Sequence, residues 1–341
     1  MKLVTFVAHG SPRTQSSGRS APGALVEGGQ VLDLRAAVGH LARGVDASSL
    51  LRLIEAGEAG TAAMHEAIDA FHAKKLPTEH EGNAVVRSLT DVTLLSPLPR
   101  PPSMRDGYAF RQHVATARKN RGLDMIPEFD QFPVFYFTNH QAVIGPGPLR
   151  VLPKHLERLD FELEAAVVLG KTGRNVSANR ADELIFGLTI MNDFSARALQ
   201  MDEMKLSLGP AKGKDFATAL GPVMVTMDEL TAQTKKTDKG NVFDLTMSAR
   251  LNGKALSSGN VKDMTWTFAQ ILERASYGAT LYPGDVIGSG TCGTGCLLEL
   301  NGSKITDNLW MKPGDVIELE IQGIGKLVNE VVLDGEATEI R

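Results

Sequence analysis

A proline-rich run divides this chain more sharply than any other feature of its sequence. Residues 96–102 read SPLPRPP, so four of the seven positions are proline. Proline fixes its own φ, lacks a backbone N–H group and biases the residue before it toward extended conformations. Because 341 residues are enough for more than one core, we predict a small domain over residues 1–98 and a larger one over residues 99–341.

The composition is typical of an ordinary globular protein and argues against several classes of function. Hydrophobic residues make up 43% of the chain, charged residues make up 22%, and the net charge is −4. A nucleic-acid-binding protein usually carries a basic patch or stripe, which this balance does not favour. No apolar run is long enough to span a bilayer, and the apolar start over residues 3–8 is too short for a secretory signal. We expect a cytoplasmic protein with no nucleic-acid or membrane partner.

The two cysteines, Cys292 and Cys296, lie close together in the glycine-rich segment TCGTGC. Secreted domains that depend on disulfides are usually small and dense in cysteine, so two thiols in this chain favour a reducing compartment. A Cys-x-x-x-Cys spacing without a second pair of ligands is a weak zinc signal. We interpret both thiols as small side chains that fill a loop, with a zinc site as the less favoured alternative.

Hydrophobic alternation and turn residues predict a mostly β fold with α+β elements. The elements predicted before the prolines are a strand over residues 1–8, a hairpin over residues 24–34, a helix over residues 61–75 and a strand over residues 89–95. Beyond the prolines, residues 108–121 follow a helical pattern. The Asn-Gly pair at residues 252–253 is typical of a tight hairpin, and residues 300–303 are expected to form a similar turn.

Four acidic residues stand out because of their surroundings: Asp106, Glu162, Glu164 and Asp193. Asp106 follows the proline run, and Asp193 lies at the end of an apolar run. Glu162 and Glu164 lie in the segment DFELEAAVV at residues 160–168. Side chains alternate between the two faces of a strand, so both glutamates are predicted to lie on the same face.

Two interpretations of this acidic pair remain open. In the first, the two carboxylates lie on the solvated face of an edge strand. In the second, the adjacent apolar residues Val167 and Val168 indicate a buried strand, and a buried carboxylate is costly unless it is paired or binds a metal ion. Mg²⁺ and Ca²⁺ prefer oxygen ligands of this kind. The pattern by itself does not connect Asp106 or Asp193 with the pair.

Five collinear segments resemble the motifs of the fumarylacetoacetate hydrolase family. They are DGYAFRQH at residues 106–113, ELE at residues 162–164, NDFSARALQ at residues 192–200, GKDFAT at residues 213–218, and SGT at residues 289–291 followed by LLEL at residues 297–300. Together they extend from about residue 100 to the end of the sequence. The chain is therefore identified as a member of this family, of the bacterial type.

The resemblance implies a fold, a metal centre and an oligomeric state. It implies a mixed β-roll for the larger domain and a small SH3-like α+β domain before it. The residues that match the family's Mg²⁺ or Ca²⁺ ligands are Asp106, Glu162, Glu164 and Asp193. It also implies a homodimer whose active sites lie near the interface.

The resemblance also implies catalytic residues. His113 and Glu299 match a histidine–glutamate pair, in which the carboxylate fixes the tautomer of the imidazole and raises its basicity. Positions seven apart lie on nearly the same side of a helix, so we expect His113 to lie near Asp106. Lys214 and Gln200 match residues that stabilise developing negative charge.

Further positions match substrate-binding or supporting residues of the family. The substrate-binding matches are Tyr108, Tyr136, Arg197 and Thr291, and Thr218 matches a residue that supports the metal region. Arg197 is alternatively a partner of the acidic residues. Arg118 and Arg121 are both candidates for the arginine that binds the distal carboxylate of the substrate.

These matches favour hydrolysis of a carbon–carbon bond in a diketo acid, either fumarylacetoacetate or a close acylpyruvate, in aromatic catabolism. The metal ion is expected to polarise a carbonyl group, and His113 to direct water at it. One alternative is a decarboxylase, isomerase or hydratase of a small keto acid, which the intact pair of His113 and Glu299 disfavours. A second is a metal-stabilised binding module without catalysis, which Lys214 and Gln200 disfavour.

Overall fold

A computed structural model describes residues 1–9, 20–207 and 209–335, and its main feature is a large mixed β-sheet. The elements that precede the proline run are the strands β1 Lys2–Ala8, β2 Ala21–Val26, β3 Gln30–Asp33, β4 Glu79–His80, β5 Asn83–Ala84, β6 Val86–Ser88 and β7 Val92–Leu94, and the helices α1 Leu34–His40, α2 Leu50–Glu55 and α3 Gly57–His72.

The part after the proline run is richer in strands. Its strands are β8 Met104–Gly107, β9 Phe135–Phe137, β10 Val143–Ile144, β11 Gly147–Val151, β12 Leu159–Asp160, β13 Glu164–Leu169, β14 Gly173–Arg174, β15 Ile185–Asp193, β16 Ser195–Ala196, β17 Thr218–Leu220, β18 Met224–Thr226, β19 Thr234–Thr237, β20 Gly240–Phe243, β21 Thr246–Leu251, β22 Lys254–Asn260, β23 Thr280–Leu281, β24 Val286–Gly288, β25 Val316–Ile321 and β26 Gly325–Leu333. Its helices are α4 Arg111–Lys119, α5 Ala178–Ala181, α6 Arg197–Met204, α7 Phe268–Ser276 and α8 Leu297–Gly302. The predicted mostly β character with additional helices is confirmed.

The largest sheet joins strands from both sides of the proline run. It has 13 strands, with the order β6-β3-β2-β1-β18-β15-β13-β24-β8-β9 along its main path. β1 pairs antiparallel with β18, with Lys2 opposite Val225. The backbone hydrogen bonds of the sheet therefore continue across the predicted boundary at residue 98, and the division into two domains stays a prediction.

The centre of this sheet is buried on both faces. In β13, Ala165 and Val167 contribute to one hydrophobic core, while Ala166 and Val168 contribute to a second core that includes residues of α1, α2 and α3. A strand covered on both faces is expected to be almost continuously apolar, which explains the uninterrupted run after Glu164. The second sheet, with the order β11-β26-β25-β21-β22, supplies residues to the first core.

Several local predictions are confirmed because turn chemistry and capping agree with the fold. β2 pairs antiparallel with β3 across the Gly28-Gly29 turn, as predicted for residues 24–34. Asn252 and Gly253 take the positive φ values of 52° and 77° that a tight hairpin requires, and they join β21 to β22. None of the helices in the described ranges is long and apolar enough to cross a membrane.

Other local predictions are wrong in part or entirely. The helix expected over residues 108–121 is the shorter α4, and the strand expected over residues 89–95 is a 3₁₀ turn followed by β7. Residues 300–303 form no hairpin, because residues 297–302 are the helix α8. The carboxylate of Asp160 accepts the N–H groups of Leu297 and Leu298, at 2.6 and 3.0 Å, and so satisfies the start of this helix. This long-range cap overrides the turn preference of the Asn-Gly pair.

Candidate metal centre and histidine–glutamate pair

Three acidic side chains meet where neighbouring strands of the large sheet lie side by side. Asp106 lies on β8, Glu164 begins β13, and Glu162 lies two residues before it. Strand β24 lies between β8 and β13, and each carboxylate offers an oxygen within 4.8 Å of the other two. Gly288 on β24 permits this approach, because a Cβ atom there would lie 2.3 Å from Oδ1 of Asp106.

These carboxylates are buried, so the interpretation of a solvated edge strand is wrong. Asp106 is 3% exposed, Glu162 is 5% exposed and Glu164 is 0% exposed. Strand β13 is not an edge strand, because it pairs with β15 on one side and with β24 on the other. The predicted alternation holds, since Phe161 and Leu163 lie in the hydrophobic core, although the strand itself begins only at Glu164.

Asp193, the fourth expected metal ligand, lies at the end of β15 and has several hydrogen-bond partners. The amino group of Lys214 donates to its Oδ2 at 2.9 Å, and the hydroxyl of Thr218 donates to its Oδ1 at 3.0 Å. The hydroxyl of Tyr136 also donates to Oδ2. The charge of Asp193 raises the pKa of Asp106, so it lies within electrostatic reach of the other acids. The structure thus brings Lys214, Thr218 and Tyr136 together around one carboxylate.

Two buried cations compensate part of the negative charge. Lys214 donates to Oε2 of Glu162, and Nη2 of Arg197 donates to Oε1 of the same carboxylate at 2.8 Å. Nε of Arg197 donates to Oδ2 of Asp160 at 2.8 Å. Among the described residues around Glu162, these two cations face the buried carboxylates of Asp106, Asp160, Glu162, Glu164 and Asp193. An excess of buried negative charge is costly unless a further cation balances it.

The pKa values of the carboxylates differ according to their partners. Burial raises the pKa of Asp106 to about 8, and the charges of Asp193 and Glu162 contribute to the increase. Burial and the neighbouring acids raise the pKa of Glu164 well above its ordinary value. Burial also acts on Glu162, but Lys214 and Arg197 outweigh it and lower the pKa to about 2. The lowered pKa of Glu162 favours its ionised form, whereas the raised pKa values of Asp106 and Glu164 favour their protonated forms when no cation is bound.

The donor set fits a hard divalent cation. Oε2 of Glu164 is buried and has no hydrogen-bond partner among the described residues, which is unusual for a carboxylate oxygen in a protein interior. Oε1 of the same side chain accepts only a long hydrogen bond, at 3.4 Å, from the hydroxyl of Thr291. Asp106 has one oxygen engaged, since its Oδ1 accepts the N–H group of Gly290 at 3.0 Å. Oxygen donors of this kind suit Mg²⁺ or Ca²⁺.

The histidine–glutamate pair lies between two helices. His113 is on α4 and Glu299 is on α8, and Nδ1 of the imidazole lies 2.6 Å from Oε2 of the carboxylate. Both side chains are buried, and the ring of Tyr108 meets the imidazole edge to face at a centroid distance of 5.9 Å. Burial raises the pKa of the Tyr108 hydroxyl, and the charge of Glu162 adds to this increase.

Asp106 and His113 do not lie on one helix, so the prediction that a shared helix brings them together is wrong. Asp106 lies on a strand, and the helix begins only at Arg111, after Phe110 has taken an extended conformation. The residues between the two positions form a connection from the sheet to α4. The spacing in this motif therefore describes a strand, a connection and a first helical turn.

The remaining expected residues differ in whether they contact the acidic group or the backbone of the helix region. Nη1 of Arg197 donates to Oε1 of Gln200 at 3.0 Å, so Gln200 joins the acidic group through this arginine. Arg118 is half-buried and Arg121 is exposed, and each donates to a backbone carbonyl group near the end of α4. Burial raises the pKa of Tyr108, and the charge of Arg121 opposes this increase.

Asp160 is a central residue that the sequence analysis missed. Its side chain is 0% exposed, it accepts Arg197 on one side, and it caps α8, which carries Glu299, on the other. Asp160 therefore connects the acidic group with the histidine–glutamate pair. In the sequence it is only the first of three alternating acids, and no local signal separates it from a surface charge.

The chain is similar to known proteins in both sequence and fold. The family model described as fumarylacetoacetate (FAA) hydrolase C-terminal matches residues 103–332. The solved structure of a fumarylacetoacetate hydrolase from Exiguobacterium antarcticum is 27% identical to the chain, with a TM-score of 0.68, and the match covers 98% of this chain and 100% of that one.

Two curated relatives carry a different activity in their names. A mitochondrial oxaloacetate tautomerase of Bos taurus is 28% identical over 306 residues, which cover 89% of this chain and 85% of the relative. The oxaloacetate tautomerase YisK of Bacillus subtilis strain 168 is 30% identical over 264 residues, which cover 75% of this chain and 78% of the relative.

Proposed function

The chain belongs to the fumarylacetoacetate hydrolase family, and from this premise we propose that it is a metal-dependent hydrolase. Its proposed reaction is the cleavage of a carbon–carbon bond in a diketo acid such as fumarylacetoacetate, which yields fumarate and acetoacetate. A close acylpyruvate is an equally suitable substrate class. The observation that carries the proposal is the buried hydrogen bond, 2.6 Å long, between His113 and Glu299.

The pair of His113 and Glu299 is suited to the activation of water. A carboxylate bonded to Nδ1 holds the proton on that nitrogen, so Nε2 is left free to accept a proton. The same carboxylate stabilises the imidazolium that forms when the proton is taken from water. An ionised carboxylate can only accept a hydrogen bond, so the proton of this bond lies on Nδ1 of His113.

Asp106, Glu162, Glu164 and Asp193 would hold the metal ion. When bound, Mg²⁺ or Ca²⁺ supplies Lewis acidity, which polarises a carbonyl group of the substrate. The unpartnered oxygen of Glu164 and the excess of buried carboxylates support this assignment. The carboxylate of Glu162, held ionised by Lys214 and Arg197, offers a permanent negative charge at the centre.

Lys214 and Gln200 are proposed to stabilise the negative charge that develops on the leaving group. Lys214 is buried and donates to two acids, so its ammonium group is held in place before the reaction. A fixed donor in a dry site stabilises charge without reorganisation, which makes it effective in a transition state. Thr218 supports this arrangement through its hydrogen bond to Asp193.

The contacts refine the expected substrate-binding residues. All three guanidinium nitrogens of Arg197 are engaged by Asp160, Glu162 and Gln200, so a positioning role suits it better than direct contact with substrate. Tyr108, beside the imidazole, and Thr291, beside Glu164, remain proposed contacts for substrate oxygens.

Tyr136 and one of the two arginines complete the proposed substrate site. Tyr136 donates to Asp193 and so lies at the edge of the acidic group. Arg118 and Arg121 are both proposed as the arginine that binds the distal carboxylate of the substrate.

Tautomerisation of oxaloacetate is the second candidate reaction. It is favoured by the names of two relatives that the chain resembles, both of which are oxaloacetate tautomerases. In this reaction His113 would take a proton from a carbon beside the keto group and return it to oxygen. The same residues serve both reactions, and the difference lies in whether water is placed between His113 and the substrate.

A side-by-side assay separates the two candidates. Purified protein with Mg²⁺ or Ca²⁺ is given fumarylacetoacetate in one experiment and enol-oxaloacetate in another, before and after chelation. Our proposal predicts chelator-sensitive formation of fumarate and acetoacetate, and loss of this activity by roughly 100-fold or more in His113→Ala. Rapid, metal-dependent ketonisation of oxaloacetate with no cleavage of any diketo acid would replace hydrolysis by the second candidate.

Three further expectations belong to this proposal. The homodimer, the SH3-like form of residues 1–98 and the cytoplasmic location follow from the resemblance and the composition. Their tests are the molar mass in solution, an experimental structure and localisation in the cell.

A further inference from the structure

A buried thiol lies next to the histidine–glutamate pair and has no role in the proposed reaction. His113, Cys296 and Glu299, which we call the thiol cluster, each offer one donor atom, and these atoms lie within 4.8 Å of one another. We propose that the thiol cluster is a second metal site, which binds a soft divalent cation such as Zn²⁺ or Cd²⁺ and thereby inhibits the enzyme. The site itself is independent of the proposed function, but the inhibition rests on it.

The geometry of the thiol cluster is close to that of a three-ligand zinc site. Zinc binds thiolate sulfur at about 2.3 Å and imidazole nitrogen at about 2.0 Å, so the ligand atoms of a tetrahedral ion lie roughly 3.5 Å apart. The donor atoms of the thiol cluster lie within 4.8 Å of one another, and binding of the ion would draw them toward this separation. Sites with three protein ligands and one open position are common for zinc, and the open position is filled by water or substrate.

An unsatisfied atom points independently to a missing ligand. Oε1 of Glu299 is buried and has no hydrogen-bond partner among the residues that the structure describes, while Oε2 of the same carboxylate bonds His113. The side chain of Glu299 is only 1% exposed, so this oxygen lies away from bulk solvent. A cation bound by the thiol cluster would do so.

The donor chemistry separates this site from the carboxylate centre. Mg²⁺ and Ca²⁺ prefer the all-oxygen set around Glu164, whereas thiolate and imidazole favour zinc and its soft relatives. The partner of Cys296 here is not Cys292, as a Cys-x-x-x-Cys zinc motif would require, but the pair on α4 and α8. We therefore expect hard cations at the carboxylate centre and soft cations at the thiol cluster.

Occupation of the thiol cluster removes the general base. A cation bound through Nδ1 of His113 or through Glu299 breaks the hydrogen bond that fixes the imidazole. The thiol proton and the proton shared by the pair pass to solvent, and the cation takes their place. His113 has the more exposed side chain of the pair, at 10% against 1% for Glu299.

Cadmium tests the proposal directly, because a cadmium–thiolate bond absorbs in the ultraviolet through charge transfer. Protein saturated with Mg²⁺ is titrated with Cd²⁺, and both this absorption and turnover are followed. We expect the band to appear in the wild type and in Cys292→Ala, a matched control that removes the other buried thiol of the same loop. We expect Cys296→Ala to lack the band and to need roughly 10- to 100-fold more Cd²⁺ for half-inhibition.

The thiolate absorption reports metal binding whether or not the protein catalyses the proposed reaction. If the wild type shows no thiolate band, or if Cys296→Ala keeps it, the proposal is wrong even where Cd²⁺ inhibits by displacing Mg²⁺ from the carboxylates. If the band is present but no diketo acid is cleaved, the metal site stands and the proposed function fails. Cys296→Ser, which keeps a small polar side chain but removes the soft donor, replaces the alanine variant if that variant does not fold.

Discussion

At the scale of single residues, the site depends on carboxylates that have unequal tasks. Lys214 and Arg197 lower the pKa of Glu162 despite its burial, while burial and the neighbouring acids raise the pKa values of Asp106 and Glu164. Asp160 binds no metal in our account and acts only through its hydrogen bonds to Arg197 and to α8. Its role is therefore one of positioning, and it makes a specific prediction.

Asp160→Asn is expected to weaken both the fold and catalysis. The substitution removes one of the two carboxylates that pair with Arg197 among the described residues, and it weakens the cap of α8. Loss of one member of a buried ion pair costs about 3–5 kcal/mol. Denaturant unfolding should show a lower free energy of unfolding. Kinetics should show a lower kcat with little change in KM, because Glu299 loses its support.

A matched exposed ion pair provides the control for this prediction. Asp244 forms an ion pair with Lys262, and its side chain is 61% exposed. Asp244→Asn should change the free energy of unfolding by no more than about 0.5 kcal/mol and leave kcat unchanged. Equal behaviour of the two variants would contradict the role we assign to Asp160.

The family motifs predicted the site residues, but they did not predict the residues that these side chains contact. His113, Glu299 and the four acids were expected from family motifs, and the structure brings His113 to Glu299 and three of the acids together. Asp160 lies in no such motif and contacts residues that follow it by 37 and 137 positions. Contacts across such separations depend on the whole fold, so a local pattern does not reveal them.

At the scale of elements, the metal centre depends on three adjacent strands. β8, β24 and β13 lie side by side. The outer two strands bear Asp106 and Glu164, and Gly288 lies on the strand between them. The predicted alternation was correct because it is a property of any extended chain. The prediction of a hairpin at residues 300–303 failed because the cap from Asp160 belongs to a distant element.

Gly288→Ala is expected to lower metal affinity without unfolding the protein. The new Cβ atom would meet Oδ1 of Asp106 at 2.3 Å and the sulfur of Met191 at 2.8 Å, so the aspartate has to move. By analogy with other supporting positions at metal sites, we expect the affinity for Mg²⁺ or Ca²⁺ to fall roughly 10- to 100-fold, measured by calorimetry.

The control for this variant is a glycine in open space. A Cβ atom at Gly335 meets no other atom within 4 Å, so Gly335→Ala should bind metal like the wild type. If Gly288→Ala also binds metal like the wild type, then Asp106 is not a ligand or the strand spacing is not what holds it.

At the scale of the whole molecule, one sheet joins the two parts of the chain, and the acidic group lies within it. The pairing of β1 with β18 links positions separated by more than 200 residues, which no local pattern specifies. The proline run was therefore a correct sign of irregular backbone but gave no information on how the flanking parts pack. The buried excess of negative charge is likewise a property of the complete fold.

Metal binding and pH are expected to be linked through this charge. The folded, metal-free protein holds protons on Asp106, with a pKa of about 8, and on Glu164, whereas the unfolded chain releases them near pH 4. Because the folded state binds more protons, the metal-free protein should lose stability as the pH rises from about 4 to about 8. Metal binding displaces these protons, so metal affinity should rise over the same range.

Thermal unfolding tests this linkage. The difference in Tm between metal-loaded and chelated protein should increase from about pH 6 to about pH 8, since ligand affinity adds directly to stability. A difference that stays constant or decreases with pH would show that the acids are already ionised in the metal-free protein.

The most direct test of the account follows the oxygen atom that enters the product. Metal-loaded protein is incubated with fumarylacetoacetate in water enriched in oxygen-18, and the fumarate and acetoacetate are analysed by mass spectrometry. Hydrolysis driven by His113 predicts one labelled oxygen in the new carboxylate of fumarate, with the reaction abolished by chelation. Folded, metal-loaded protein that leaves the substrate uncleaved would contradict the central claim that this site hydrolyses a carbon–carbon bond.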